Sequence, residues 1–567
     1  MLKNKGFKSN LKASLQDPNL QLLLIILFVG FLLRFWGIWN IERTDEFNEV
    51  FEALKVDSGR LNLDRWNKKV LIYILAVEYG IYFCIGWLMG IFSNVSEFAS
   101  KIVTDISPLF LIGRTTSALF GTIVIFVAYK IGTLLFDERV GLLASLFMCF
   151  NFVHVEHSHL VLVDITMSLA VVCTFFFAIK VAYGGQRKHY FFAGFFTGLA
   201  IVAKIPSVFI LFSLLTGHLL FCYKEGGSIT QPGSHRHIPI LLAGICFGVI
   251  LGNPGILIAP GQYFKYLVSL IGAYQGTSDK IPYFTSTNGY LFYLKSMASN
   301  MGLPVLLCSL SSILFSKKHW KEILLLVSFL LPFYLFISNS KWFVADRYLI
   351  PIYPFLSVLA SAFVIHMLLR ISRESLAIIV GIALIIVPAS RIILFELSLT
   401  KQNTRYWAKE WIEKNIPKGS KILIDSGRTI NTYSPPLIPN AENLAKMIRK
   451  IGNLEEGATF DESRIADAKS SIYFKYLLAS LPETTYDLTS TERGEAVRKY
   501  EYYVENGFDY IITSDNITWR TKVPPWRQQF PEQAMTYDHV ETMEPIKVFA
   551  PDRYRSGPVI KIYAVSR

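Results

Sequence analysis

Long apolar runs separated by short polar turns fill the chain from about residue 20 to about residue 396. A helix that crosses a bilayer needs about 20 mostly apolar residues. Runs at 20–39, 109–135, 140–153, 162–182, 190–203, 206–222, 238–258, 291–315, 322–338, 348–370 and 376–396 meet or approach that length. They predict an α-helical polytopic membrane protein with about eleven transmembrane helices. A further run, 71–92, carries Glu78 and is assigned by charge. Cytoplasmic loops hold an excess of Lys and Arg. Lys3, Lys5, Lys8 and Lys12 therefore place the N-terminus in the cytoplasm. With 71–92 left out as a span, Arg139, the Arg187–Lys188 pair, Lys224 with Arg236, the Lys317–Lys321 cluster and Arg370 with Arg373 all fall inside. Counting it would move every one of them outside. The run is thus predicted as an interfacial or re-entrant helix, in a large first external loop over 40–108.

The pattern changes near residue 400. RYWAKEWIEKN reads as a helix stopped by Pro417 and Gly419, and KILID as a strand after it. Thr489 and Glu492 have capping-box spacing and predict a helix ending at Asn506–Gly507, before the strand FDYIITSD. PVIKIYAVS is the last strand. The expected organisation is a multi-span domain over 1–399 and a soluble α/β domain over 400–567, outside the membrane.

Composition agrees with the pattern. Of 567 residues 52% are hydrophobic and only 17% charged, against about 25% charged in soluble proteins. The net charge of +13 is spread through short loops and the tail. A nucleic-acid binder would gather it on one face, so nucleic acid is excluded as a partner. The six cysteines (84, 149, 173, 222, 246, 308) include no CxxC, which implies neither a disulfide framework nor a zinc ribbon. No cleavable signal peptide is predicted, because the first run contains Arg34 and continues without an A-x-A-like site.

Against this background the acids of IERTDEFNEVFEALKVDSGR, residues 41–60, stand out. Phe47, Val50, Phe51 and Leu54 form one helical face, with Asp45, Glu49 and Glu52 on the other side. Thr44 can cap the helix, placing Asp45 and Glu46 in its first turn, where the dipole favours acids by about 0.3–1 kcal/mol each. That describes an amphipathic helix on the outer bilayer surface. The same carboxylates could take a proton from a hydroxyl as general base, and the two readings are compatible.

Ionisable residues among apolar spans are functional candidates. Arg114, the run HVEHSHLVLVD over 154–164, Lys204 in the turn IVAKIPS and Arg347 in DRYLIPIYP lie at span ends on the same predicted face as Asp45. Three cations suit an anionic lipid, with Arg able to make bidentate contacts; snorkelling to headgroups is the plainer alternative. HxEHxH is a weak metal pattern, since four ligands so close together cannot readily face one ion. Histidines bonded to headgroups or backbone are the favoured reading. GFFTG over 194–198 is a small-xxx-small packing motif.

Taken in order, these segments resemble the GT-C glycosyltransferases that use polyprenyl-phosphate sugars, in particular the protein O-mannosyltransferases and lipid A aminoarabinose transferases. The order runs from Asp45–Glu46 to GRTTSALFGTIVIFVAYKIGTLLF with Arg114, and through VGLLASLFMCFNFVHVEHSHLVLVD to Asp164. It continues with GLAIVAK, ending at Lys204, and RYLIPIYP with Arg347 and Tyr348, and closes with TRYWAKEWIEKNIPKGSKI and GPVIKIY in the tail. The resemblance implies a GT-C fold and an integral protein of the plasma membrane or endoplasmic reticulum. It implies inverting transfer of a monosaccharide from a polyprenyl-phosphate donor to a hydroxyl on the extracytoplasmic face. By the same resemblance Asp45 is the base and Glu46 and Asp164 assist. Arg114, Lys204 and Arg347 hold the departing phosphate, and His157, His159 and Tyr348 are candidates for substrate contact. His159 stands where the family often has Arg. The implied partners are the polyprenyl-phosphate-linked sugar, a lipid, glycan or protein acceptor, and membrane lipids. No cofactor is fixed, and a divalent metal stays open. The absence of a WWD motif disfavours transfer of whole oligosaccharides to Asn. Two other classes compete: a lipid or glycolipid transporter, which would place charges near the bilayer midplane within inverted repeats, and a non-catalytic assembly protein.

Overall fold

The computed structural model describes residues 17–41, 46–57, 69–224, 235–275, 288–315, 317–340, 344–369, 374–426, 433–443 and 483–566. Backbone contacts divide the chain into two compact units. One holds residues up to 36, 49–77 and 112–395; the other holds 37–48, 78–111 and 396–567.

The described secondary structure before residue 399 is helical, and of it 37–48, 78–111 and 396–398 belong to the second unit. Helix α1 (Pro18–Phe35) starts at Asp17, whose carboxylate accepts from Asn19 N at 3.0 Å. Helices α2 (Glu46–Asp57), α3 (Lys69–Leu88) and α4 (Val95–Thr104) precede α5 (Ser107–Leu135). At 29 residues α5 is about 43 Å long, more than a hydrocarbon core. Helices α6 (Glu138–Cys149) and α7 (Phe152–Ser158) meet at a 63° bend. Asn151 caps α7 by accepting from His154 N at 3.1 Å. Helix α8 (Val163–Gly184) ends at Gly185, whose φ of +55° makes the tight turn into α9 (Arg187–Ala203). A 3₁₀ turn (Ile205–Phe209) leads to α10 (Ile210–Lys224), followed by α11 (Ile238–Gly252), α12 (Pro260–Gln275), α13 (Gly289–Met301), α14 (Leu303–Phe315) and α15 (Trp320–Asn339). A second 3₁₀ turn (Asp346–Ile352) precedes α16 (Tyr353–Leu369) and α17 (Glu374–Ser398).

Among the described residues eight helices are long and apolar enough to cross a membrane, ten if each of two bent pairs counts as one span. The apolar pattern thus located most of the bundle, but the runs 190–203 and 238–258, expected as spans, form α9 and α11 of only 17 and 15 residues, outside that set. The run 291–315, expected as one span, breaks by 113° between α13 and α14. Gly302 sits there at φ +87°, a conformation open mainly to glycine. Pro304, one residue into α14, supplies no N–H to continue the first helix. Helix α3 is one of the eight by length and composition; only the loop charges set it apart.

The small-residue motif behaves as expected. A Cβ at Gly198 would lie 2.7 Å from Val249 N, and one at Gly194 3.0 Å from Ile245 N. Only glycine lets α9 and α11 approach this closely.

The second unit carries a five-stranded sheet in the order β2-β1-β3-β5-β4: β1 (Lys421–Ile424), β2 (Asp487–Ser490), β3 (Tyr510–Ser514), β4 (Lys547–Phe549) and β5 (Ile560–Ala564). β1 pairs in parallel with β2 and β3, while β5 runs antiparallel to both β3 and β4. Side chains alternate between faces. Ile422 and Ile424 pack with Ala408 and Ile412 of α18 (Thr404–Asn415), whereas Leu423 packs with Ala534, Tyr537 and Val540 of α22 (Pro531–Thr542). Burial on both faces explains why β1 reads as continuously apolar. Between β2 and α22 lie α19 (Tyr500–Glu505), α20 (Asp515–Thr521) and α21 (Pro524–Gln529). The predicted capping box is corrected. Thr489 is a strand residue paired with Leu423, Glu492 has φ +47°, and the next helix starts only at Tyr500. Pairing with a distant strand overrides the local capping pattern.

Candidate functional site

Asp164 sits in the first turn of α8 and is 3% exposed. Lys204 leaves α9 in an extended conformation (φ −161°, ψ 127°), two residues before Pro206. Because the chain stops being helical there, the Lys204 side chain can turn to α8, and its Nζ lies 2.6 Å from Asp164 Oδ1. The 3₁₀ turn Asp346–Ile352 packs against both α7 and α8. It brings the Tyr348 ring to 4.4 Å from Lys204 Nζ, within cation–π range, and the Arg347 guanidinium to 5.9 Å from the same ring. The field at the Asp164 carboxylate comes from Lys204, Arg347 and His157.

Lys204 and Tyr348 line a narrow cleft of about 10 Å³, whose other walls include Met167, Tyr293, Phe333 and Ser340. The structure therefore brings together four of the residues singled out in the sequence: Asp164, Lys204, Arg347 and Tyr348. Arg114 is buried on α5 and His157 on α7. Asp45 lies outside the described residues.

Helix α2 departs from the amphipathic picture. Glu46, Glu49 and Glu52 are buried, at 0%, 1% and 9% exposure, as are Phe47 and Val50. Glu52 is paired with Lys55 at 2.8 Å. Acids expected on a solvated face are instead enclosed, which requires polar partners for each.

Arg34 was noted in the sequence only as an interruption of the first run. It is fully buried in the last turn of α1. Its Nη2 donates to Met148 O at 3.0 Å and to His154 Nδ1 at 3.1 Å; its Nη1 donates to Gly30 O at 2.9 Å and to Cys149 O at 3.4 Å. Met148 and Cys149 end α6, where carbonyls lack helical partners. One guanidinium thus holds the α6–α7 break that precedes Asp164. A buried Arg with no neighbouring acid in the sequence was the available signal.

The histidine run does not assemble as a metal centre. His154 accepts from Arg34, and the ring nitrogens of His159 each lie 2.9 Å from a backbone carbonyl oxygen, Val155 O and Trp36 O. Among the described residues no three His, Cys, Asp or Glu side chains are placed to hold a metal ion.

The fold and the cleft define a multi-span membrane protein with a buried, charged site. Residues 94–251, a little over a quarter of the chain, match the family model described as dolichyl-phosphate-mannose-protein mannosyltransferase. That stretch contains Arg114, the histidine run, Asp164 and Lys204. Comparison with curated proteins gives no match. Among solved structures the chain is similar to ArnT from Cupriavidus metallidurans bound to undecaprenyl phosphate, at 11% identity over 96% of this chain and 97% of that one, with a TM-score of 0.48. It is also similar to apo ArnT from the same organism, at 12% identity over 96% and 97% of the two chains (TM-score 0.49). A third similar structure is the Archaeoglobus fulgidus oligosaccharyltransferase AglB with an inhibitory peptide and a dolichol-phosphate, at 11% identity over 88% and 69% (TM-score 0.44).

Proposed function

We propose that this chain is an integral membrane glycosyltransferase that moves a monosaccharide from a polyprenyl-phosphate donor to an acceptor hydroxyl, with inversion at the anomeric carbon. The carrying observation is the Lys204–Asp164 pair beside Arg347 and Tyr348 at a narrow cleft, with Asp164 and Lys204 inside the matched stretch. The acceptor oxygen forms a bond to the anomeric carbon as the bond from that carbon to the phosphate oxygen breaks. The bonding pair leaves with the phosphate, which changes from a singly charged diester to a monoester of higher charge. Lys204 and Arg347, with Arg114, offset the charge that builds there. Asp164 holds Lys204 in place before the donor arrives. Asp45 takes the acceptor proton as general base, with Glu46 assisting, on the strength of their order relative to the other segments.

The test is incubation of the purified protein with a panel of labelled polyprenyl-phosphate sugars, with products identified by mass spectrometry. Transfer from one donor, lost in Asp45→Asn at unchanged expression, is expected. Full activity in that variant would sink the base assignment. No turnover with any donor, together with movement of labelled lipid between leaflets, would favour a transporter.

A further inference from the structure

The carboxyl edge of the soluble sheet holds polar groups that the proposed transfer does not use. β1 lies between its parallel neighbours β2 and β3, and open parallel sheets bind ligands outside the carboxyl ends of their strands. Asp425, directly after β1, is buried and joins both strands: its Oδ2 accepts from Ser514 N at 2.9 Å, and its Oδ1 accepts from Tyr537 Oη. The turn after β2 folds over the end of β1, with Arg493 N donating to Ser426 O at 2.7 Å. Glu492, Arg493 and Gly494 all have positive φ (47°, 70° and 86°), and a Cβ on Gly494 would come within 3.1 Å of the Trp526 ring.

Among the described residues of this domain, the buried polar atoms with no hydrogen-bond partner include these five: Ser434 Oγ, Arg493 Nε, Ser514 Oγ, Arg520 Nε and Trp526 Nε1. Ser514 is itself fully buried at the end of β3 and caps nothing. Arg520 follows on α20, over the Tyr433 ring at 5.8 Å. Orphaned polar atoms are rare in folded proteins, and a group of them calls for an absent ligand or water. Three of the five can only donate. A ligand that completes them must accept hydrogen bonds, and the two guanidiniums add positive charge. Hydroxyl groups on Ser434 and Ser514 can serve a polyol in either direction.

We propose that this edge, between β1 and β3, is a binding site for a sugar that carries an anionic group, of the sugar-phosphate or uronic-acid class. The proposal does not depend on the transfer reaction.

The test uses the full chain in detergent, with α-D-mannose 1-phosphate as probe and mannose and inorganic phosphate as separate arms. Hydrogen exchange is read in peptides covering 487–494 and 510–521. Saturable protection by mannose 1-phosphate, stronger than by either fragment alone, is expected. Arg493→Gln and Arg520→Gln should each weaken it at least tenfold at unchanged melting temperature, and Lys204→Gln should leave it intact. No saturable protection with any probe would mean that the edge holds only water and would overturn the proposal. Equal binding of inorganic phosphate would overturn the sugar assignment. Loss of protection in Lys204→Gln would place the ligand in the membrane cleft instead.

Discussion

Lys204 Nζ and Asp164 Oδ1, forty residues apart in the chain, meet at 2.6 Å where α9 ends and α8 begins. Asp164 is almost fully enclosed, whereas the Lys204 side chain retains 14% exposure. The carboxylate therefore bears most of the desolvation, and the lysine is the partner that can reach a ligand.

Removing one partner leaves the other charge buried. Lys204→Gln should lower turnover by about 100- to 1000-fold, the usual effect of deleting one group that stabilises developing charge. In a double-mutant cycle with Asp164→Asn, measured by thermal unfolding, the coupling should be on the order of 1–3 kcal/mol. Additive effects would show that the pair is incidental.

Arg34 makes a different demand. Its planar fork serves four acceptors at once, which a lysine cannot reproduce. Arg34→Lys and Arg34→Met should each destabilise the protein by about 3 kcal/mol or more, since Met148 O and Cys149 O lose a buried donor. Both variants should expose the α6–α7 bend to proteases. Rescue by Lys would mean that charge alone matters there.

At Gly198 the neighbour is backbone, which cannot move aside as a flexible side chain can. Gly198→Leu should force α9 from α11 and lower the melting temperature by several degrees, an overpacking cost of about 1–3 kcal/mol or more. Gly261, whose Cβ would meet nothing within 4 Å, is the control: Gly261→Ala should be neutral. Equal effects at both positions would remove the packing argument.

These sites differ in how far the sequence revealed them. Apolar run length and loop charge are local, so most helices, the α9 motif and the strands β1, β3 and β5 could be read directly. Asp164, Lys204, Arg347 and Tyr348 were singled out because charge is costly among apolar spans, but their pairing depends on where α9 stops, which Pro206 marks and does not specify. Three of the four partners of Arg34 lie more than 110 residues away, beyond any local pattern. The bend at Gly302 was hidden by the apolarity on both sides. Thr489 was misread because its strand partner, Leu423, is distant. The acids of α2 were read as solvated because one apolar face says nothing of what covers the other.

The buried Asp425 gives the soluble domain a pH dependence of definite sign. Burial raises its pKa from 3.8 to about 7, against the hydrogen bonds from Tyr537 and Ser514 N, which favour the ionised form. The folded state therefore binds a proton more tightly than the unfolded state between about pH 4 and pH 7, and stability falls as pH rises through that window. The stabilisation is fully present below the unfolded pKa and is lost above the folded one. At about 1.4 kcal/mol per unit the loss is on the order of 4 kcal/mol at most. Asp425→Asn keeps the shape and removes the titration. Pulse proteolysis in urea, following fragments from residues 400–567 at several pH values, should show wild-type stability declining from pH 4.5 to 7.5 more steeply than that of the variant. Parallel curves for the two proteins would show that Asp425 is ionised throughout, and that its partners outweigh its burial.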